Sequence, residues 1–225
     1  MITLAIDTST PRGAVALLRD EKPLGEEAFD RSQPGGNVFD AAAGLLSRDQ
    51  LGVTDIGLLA VGLGPGSFTG IRAGIAAAKG LALPRKLPIK GVSSYDALAL
   101  TALPGMPRDC PQMCVLGDAR RDEIYYALYD RDGRCVKDCR IATLEAVADE
   151  IHQPIWFVSS EIERYKDELR SLFGGFASIG ETSVYPSAAA VGRLAFQRFR
   201  VDTTRGDESI EPIYLRVPQY KTVGK

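Results

Sequence analysis

Histidine is almost absent from this chain, which has a single one, His152, among its 225 residues. One imidazole cannot build a His-rich metal site, and no acidic or serine partner stands near it in the sequence. Cysteine is also scarce, and its spacing of three intervening residues is loose for zinc. The four cysteines are Cys110, Cys114, Cys135 and Cys139. Because Cys114 and Cys139 border strand-like runs, where residues four apart are separated by about 13 Å, we expect small buried thiols, a surface histidine and no metal site.

Long apolar runs and an excess of charge of one sign are missing as well. No apolar run approaches the ~18 residues of a transmembrane helix, and residues 1–7 are too few for a signal-peptide core and lack a basic lead. The net charge is −2, which gives no general attraction to nucleic acid or to membranes. We therefore expect a cytoplasmic protein in which a partner carries most of any RNA contact. At 45% hydrophobic residues, the chain can form one large or two small domains.

Glycine and alanine are abundant in one stretch, residues 61–80. The short aliphatic run 56–63 predicts a buried strand, which Gly64-Pro65-Gly66 interrupts. Ser67 or Thr69 can cap a helix over residues 68–83. Each glycine inside a helix costs roughly 1 kcal/mol relative to alanine, so the small residues of this helix indicate that another backbone approaches it closely. These residues are Gly70, Ala73, Gly74, Ala77, Ala78 and Gly80.

This strand–loop–helix has two interpretations. In one, its backbone N–H groups and helix N-terminus bind an anion such as phosphate. In the other, the loop is a tight turn and the small residues seat a helix of the same chain or of a partner. The loop lacks the lysine of a P-loop, and Ser67 lacks the flanking glycines of a nucleophile elbow. The residues favour packing or partner contact.

Two acidic turns divide the chain into similar halves. In the first half a strand ends at Asp7 and a second strand returns, and in the second half Asp118 stands in the same position between residues 113–116 and 124–129. Pro104-Gly105-Met106-Pro107 is the best linker candidate. We therefore predict two α/β lobes with mixed sheets, residues 1–103 and 108–225.

The turn after the first strand also has two interpretations. Asp7 could hold a hydrated metal ion while Thr8 and Ser9 face a phosphate. Alternatively, these side chains bind only their own backbone in an Asx or Ser/Thr turn. The residues taken alone favour the second interpretation.

Several motifs, in order over nearly the whole chain, resemble the TsaB (YeaZ) family. They are Ala5-Ile6-Asp7-Thr8-Ser9-Thr10, residues 62–74, Gly91-Val92-Ser93-Ser94, residues 118–125 and Glu211-Pro212-Ile213-Tyr214-Leu215-Arg216. The resemblance implies a two-lobed actin/sugar-kinase/Hsp70-like fold, with mixed sheets flanked by helices and a short second lobe. It also implies a role in making threonylcarbamoyladenosine next to the tRNA anticodon.

The same resemblance implies a non-catalytic scaffold that binds and activates the paralogue TsaD and helps to dock the ATPase TsaE, with a functional link to TsaC. Residues 93–98 lack the His-x-x-x-His pair of TsaD-like proteins. The chain is then expected to need no cofactor by itself, although ATP or ADP could bind within the complex, and to reach tRNA through that complex. Asp7, Thr8, Ser9 and Asp118 would be remnants of a nucleotide cleft.

In this family the first helices of the N-terminal lobe meet TsaD or a second copy of TsaB. The predicted partner interface therefore consists of Val38, Ala42, Leu45, Gly70, Ile71, Gly74 and Ala78. A homodimer is expected for the isolated protein. On this interpretation, Gly74→Leu would abolish association and leave the monomer folded.

Two other functions remain open at this stage. The chain could be an ATP-dependent phosphotransferase or ATPase that acts alone through Asp7 and Asp118, or a stand-alone homodimeric adaptor. One departure concerns residues 31–36, Arg-Ser-Gln-Pro-Gly-Gly. Relatives often carry a histidine and an acid at this point, so details that depend on this loop do not transfer.

Overall fold

The computed structural model describes residues 1–32, 37–202 and 210–216. Two mixed sheets of five strands each form its framework. The first sheet contains β1 (Ile2–Asp7), β2 (Arg12–Arg19), β3 (Lys22–Asp30), β4 (Ile56–Gly62) and β5 (Ile89–Val92). The second contains β6 (Gln112–Arg120), β7 (Glu123–Asp130), β8 (Cys135–Ala142), β9 (Ile155–Val158) and β10 (Ala177–Ile179).

The two sheets have the same strand arrangement. Their spatial orders are β3-β2-β1-β4-β5 and β8-β7-β6-β9-β10. In each sheet the first three strands form an antiparallel meander, and the last two lie parallel to the first strand of the lobe. The predicted similarity of the two halves and the mixed sheets are therefore confirmed.

In the described part of the chain six α-helices cover the sheets, and polar side chains cap most of their amino ends. Ser67, rather than Thr69, caps α2 by accepting a hydrogen bond from Gly70 N–H, and Asn37, Ser93, Thr143 and Ser187 cap four others. The helices are α1 (Val38–Arg48), α2 (Phe68–Ala82), α3 (Ser94–Ala102), α4 (Leu144–Ala148), α5 (Ile162–Phe173) and α6 (Ala188–Val201). None of the helices in the described ranges is long and apolar enough to cross a lipid bilayer.

The central strands of each sheet are buried on both faces, whereas the edge strands β3 and β8 are largely exposed. Helices α1 and α2 cover one face of the first sheet, and α3 and α6 pack on its other face. Helices α4 and α5 cover the outer face of the second sheet. The inner face of that sheet packs on Tyr95, Leu98 and Ala102 of α3. Helix α3 therefore lies between the two sheets.

The predicted boundary of the second lobe, residues 108–225, is wrong at its C-terminal side. Helix α6 returns to the first lobe, where Ala188, Val191 and Ala195 pack on the small residues of β1 and β2. Ile210 is buried in the core beneath α1 and α2. Among the described residues the first lobe thus consists of 1–103 and the segments from 187 onward. The Pro/Gly linker marks where the chain leaves this lobe, but composition cannot show where it returns.

The seven predicted interface residues do not face outward. Val38, Ala42, Leu45, Gly70, Ile71, Gly74 and Ala78 are all buried within the chain's own first lobe. A Cβ atom added at Gly70 or Gly74 would overlap with the carbonyl or the hydroxyl oxygen of Thr8. The small residues of α2 therefore allow this helix to approach the turn after β1. Packing within the chain is the correct interpretation for these residues, and the predicted effect of Gly74→Leu is corrected accordingly.

Gly74→Ala should destabilise the isolated chain, because its added methyl group overlaps with the Thr8 hydroxyl. Overpacking of this kind typically costs about 1–3 kcal/mol. Gly80→Ala is the matched control in the same helix, since a Cβ atom there meets no atom within 4 Å. It should leave stability unchanged or raise it by up to about 1 kcal/mol. Urea unfolding of both variants measures the difference, and equal stabilities would contradict the close packing at Gly74.

Candidate functional site

A cleft of about 500 Å³ lies between the two lobes. This volume is within the range of small-molecule sites. Residues 9–11 and 65–69 line it from the first lobe, and residues 116–120 and 160–161 from the second. Tyr95, Leu98 and Tyr125 form its apolar and aromatic walls. The topology brings the two acidic turns to opposite sides of this space.

Asp7 is withdrawn from the cleft. Its side chain is buried at the end of β1 and does not line the cavity. Oδ1 accepts hydrogen bonds from Ser9 N–H at 2.8 Å and Ser9 Oγ at 2.7 Å, and Oδ2 accepts one from Ser94 Oγ at 2.7 Å. Burial raises the pKa of Asp7, although the bonds from Ser94 and Ser9 and the positive charge of Arg31 oppose this shift. Both oxygens of this carboxylate are thus occupied by the protein itself.

The rest of the first turn is also tied down. Thr8 Oγ1 donates to the carbonyl of Gly70 at 2.8 Å, and Ser67 N–H donates to the carbonyl of Ser9 at 2.7 Å. Arg31 Nη1 donates to the carbonyls of Thr8 and Thr10 at 3.0 and 2.9 Å. The turn is therefore a hydrogen-bonded Asx turn locked against α2, as the residues alone favoured. Residues 33–36 of the atypical loop lie outside the described part of the chain.

Asp118 faces the cleft but is paired with two arginines. Its Oδ1 accepts from the backbone N–H of Arg120 at 2.7 Å, and Oδ2 lies 3.0 Å from Arg120 Nη1 and 2.9 Å from Arg164 Nη1. Burial alone would raise the pKa of Asp118. The bonds from Arg120 and Arg164, together with their charges, instead hold this pKa below its ordinary value. Sequence reasoning singled out Asp118 but missed Arg164, which lies 46 positions away on α5.

The hairpin after Asp118 has an unusual backbone. Arg120, Arg121 and Asp122 have φ values of 66°, 59° and 59°, the left-handed region that few non-glycine residues adopt. The bond between Asp118 Oδ1 and Arg120 N–H accompanies this geometry. Arg120, the first of these residues, lines the cleft.

Two helix amino ends meet the cleft from opposite lobes. Ser67, Phe68 and Thr69 at the start of α2 line it, as do Ser160 and Glu161 just before α5. Helix amino termini carry partial positive charge, so this space could hold an anionic ligand. No three histidine, cysteine, aspartate or glutamate side chains within 1–32, 37–202 and 210–216 are grouped as a metal site requires.

The cysteines and His152 lie away from the cleft. All four thiols are free: Cys110 and Cys114 are buried, Cys139 is half-buried and Cys135 is exposed. Cys135 and Cys139 share strand β8, where a four-residue separation is about 13 Å. His152 is exposed in the loop before β9. The expectation of small buried thiols is confirmed for Cys110 and Cys114 but is wrong for Cys135, and the expected surface position of His152 is confirmed.

A second surface is formed by the outer sides of α1 and α2, opposite the buried small residues. On α2 this surface exposes Phe68, Arg72, Ala73 and Ala76, and on α1 it exposes Phe39. The Arg72 guanidinium lies 3.6 Å from the centre of the Phe68 ring. We call these five residues the outer α1/α2 face. It combines two exposed aromatic rings with two exposed alanines, and large exposed aromatic side chains are typical of interaction sites.

The chain is similar in sequence to proteins of tRNA threonylcarbamoyladenosine biosynthesis. The family model of TsaD, tRNA N6-adenosine threonylcarbamoyltransferase, matches residues 37–196. The tRNA threonylcarbamoyladenosine biosynthesis protein TsaB of Escherichia coli K12 is 31% identical over 223 residues, which cover 96% of this chain and 95% of that protein. TsaB of Haemophilus influenzae is 35% identical over 224 residues, covering 95% and 92%.

Solved structures show the same fold. YeaZ from Pseudomonas aeruginosa superposes with a TM-score of 0.79 at 24% identity, covering 95% of this chain and 99% of that one. The activator of 2-hydroxyisocaproyl-CoA dehydratase from Clostridium difficile, solved with bound ADPNP, has a TM-score of 0.51 at 10% identity, covering 90% and 97%. With the two repeated sheets, these similarities confirm the predicted two-lobed actin/sugar-kinase/Hsp70-like fold.

The two acids should affect the pH dependence of stability in opposite directions. The folded-state pKa of Asp7 is raised, so its protonated form favours folding and this contribution is lost as the pH rises through that pKa. The folded-state pKa of Asp118 is lowered, so its contribution is present above the unfolded pKa of about 3.9 and is lost as the pH falls through the folded-state value.

Urea unfolding of the wild type, Asp7→Asn and Asp118→Asn across the acidic pH range measures these contributions. The free energy of unfolding of the wild type minus that of Asp118→Asn should increase with pH. The corresponding difference between the wild type and Asp7→Asn should decrease with pH. Slopes of the same sign would contradict the assigned environments.

Proposed function

This chain belongs to the TsaB (YeaZ) family of tRNA threonylcarbamoyladenosine biosynthesis proteins, and we propose that it serves there as a non-catalytic scaffold and activator. Its partner in this proposal is the threonylcarbamoyltransferase TsaD, which performs the transfer to tRNA. TsaE docks where the two proteins meet, and TsaC supplies the activated threonylcarbamoyl group. We place this assembly in the cytoplasm, with tRNA bound through the complex.

The observation that carries the non-catalytic role is the state of Asp7. In an enzyme that transfers phosphate between two lobes, an acid at this position must reach a cation or a phosphate in the cleft. Here the Asp7 carboxylate is buried and accepts three hydrogen bonds from Ser9 and Ser94. Asp118 is likewise paired with Arg120 and Arg164. Neither acid is arranged as a general base or as a metal ligand.

The outer α1/α2 face supports the scaffold role. Its exposed alanines, Ala73 and Ala76, lie on the same side of α2 and let a second helix approach closely, and the flanking Phe68 and Phe39 provide apolar area. We propose that TsaD binds to this face and that a second copy of the chain occupies it when TsaD is absent. The proposed partner interface stays on the first two helices, as the sequence predicted, but it consists of residues on their exposed sides.

Introducing charge and bulk on the outer face should abolish association. The double variant Ala73→Arg/Ala76→Arg should elute separately from TsaD of the same organism in size-exclusion chromatography with light scattering. Because both alanines are exposed in the isolated chain, the thermal unfolding midpoint should stay close to that of the wild type. Ala146→Arg, at an exposed alanine on α4 of the other lobe, is the matched control and should bind normally. A stable complex of the double variant with TsaD would rule out this surface.

A reconstituted tRNA modification assay separates the scaffold from the enzyme alternative. The chain alone should form no threonylcarbamoyladenosine and hydrolyse no ATP, and modification should require both this chain and TsaD. Asp118→Asn should support modification within about twofold of the wild type, whereas loss of a catalytic acid or base typically costs 10²–10⁴-fold. ATP hydrolysis by the lone chain that Asp118→Asn abolishes would establish the phosphotransferase or ATPase alternative. The feature that would favour this enzyme alternative is the pair of helix amino ends at the cleft, because such ends attract phosphate groups.

A further inference from the structure

Residues 210–216 form a segment that runs along the first lobe and ends at the second. Ile210 is buried in the core beneath α1 and α2. Three residues later, Ile213 N–H donates to the carbonyl of Leu63, just beyond the end of β4, at 2.8 Å. The beginning of the segment is therefore held by the first lobe through both apolar burial and a backbone hydrogen bond.

Tyr214 adds a third attachment to the first lobe. Its ring lies 5.7 Å from that of Phe68 between centroids. Its hydroxyl oxygen accepts a hydrogen bond from Arg72 Nε at 2.7 Å. Phe68 lines the cleft, so the segment passes beside the first-lobe edge of this space.

Arg216 then contacts the second lobe. Its guanidinium forms an ion pair with the carboxylate of Glu123, the first residue of β7, and both side chains are about two-thirds buried. The charge of Arg216 also acts on Tyr125, where it opposes the rise in pKa that burial causes. Glu123 and Tyr125 are two residues apart on β7, so their side chains lie on the same face of this strand. Since Tyr125 is a wall of the cleft, the ion pair lies near the second-lobe edge of the same space.

On the opposite side of α3 a different contact joins the lobes. Asp96 accepts a hydrogen bond from the Tyr129 hydroxyl at 2.9 Å. Tyr95 and Leu98 face the cleft, whereas Asp96 lines a separate groove behind α3. Helix α3 is packed between both sheets, so a rotation of one lobe about this helix would open one side and close the other.

We propose that residues 210–216 act as a latch that sets the width of the cleft. The segment is anchored on the first lobe by Ile210, Ile213 and Tyr214, and Arg216 holds the second lobe through Glu123. Breaking the Arg216–Glu123 ion pair releases the second lobe to rotate about α3 and widens the space between the acidic turns. This inference goes beyond the proposed function.

Distance measurements across the cleft test the latch on the isolated full-length chain. Spin labels on cysteines introduced at Thr69 and Glu161, which line the cleft from opposite lobes, report its width by electron–electron double resonance. Cys135 and Cys139 are replaced by serine, because they are the native thiols that are not buried. Glu123→Gln and Arg216→Gln should each lengthen the mean distance by several ångströms and broaden its distribution.

A charge exchange and a distant ion pair provide the controls. The double variant Glu123→Arg/Arg216→Glu should restore the wild-type distance, because the attraction is re-formed with reversed charges. Asp167→Asn removes an exposed ion pair with Arg170 on α5 and should leave the distance unchanged. About 1 M NaCl, where the Debye length is about 3 Å, should lengthen the wild-type distance toward that of Glu123→Gln.

Unchanged distances in both neutral variants would overturn the latch. Lengthening that the charge exchange fails to reverse would also overturn it, since the effect would then come from disturbed packing. Thermal unfolding identifies any variant that does not fold, and either neutral variant alone is sufficient for the test. Because TsaD is absent from this measurement, its outcome is separate from that of the TsaD binding experiment.

Discussion

The close contact between α2 and the turn after β1 is the constraint on which the rest of the molecule depends. Gly70 and Gly74 bring the helix backbone against Thr8, whose hydroxyl donates to the Gly70 carbonyl. This contact places Ser67 N–H on the carbonyl of Ser9 and encloses Asp7 beneath the turn. A residue with a Cβ atom at either glycine would push the helix away and open this arrangement. Each glycine destabilises the helix by roughly 1 kcal/mol relative to alanine. The close packing that the missing side chains permit offsets this cost.

That contact also separates the two surfaces of the protein. The inner side of α2 packs in the chain's own core, so the exposed Ala73 and Ala76 on its opposite side are what remains for another protein. The loop that leads into α2 forms part of the cleft between the lobes. The position of α2 therefore determines both where the first lobe borders the cleft and how the outer α1/α2 face is oriented.

The two lobes repeat one topology but treat their acids differently. Asp7 is dominated by desolvation, which raises its pKa, and serine hydroxyls and one backbone N–H satisfy its oxygens. At Asp118 desolvation also raises the pKa, but the bonds to Arg120 and Arg164, together with the charges of these arginines, outweigh it and leave the pKa below its ordinary value. Both arrangements use the carboxylate to organise the protein. A cleft of this kind retains helix amino ends and aromatic walls but offers no unoccupied acid from these two turns, which agrees with a binding role better than with phosphoryl transfer.

The family, the two similar α/β halves, the Asx turn at Asp7 and the tight loop before α2 could all be predicted from the residues, because these features depend on local periodicity, turn chemistry and ordered motifs. Strand β10 was missed, since three residues carry too little pattern. The side of α2 that is buried followed only from the three-dimensional packing, because a stripe of small residues fits a neighbour in the same chain as well as one in a partner. The same packing also decided that α6 and residues 210–216 return to the first lobe, and that Arg164 pairs with Asp118. These outcomes depend on contacts between residues far apart in the chain, which local sequence pattern does not encode.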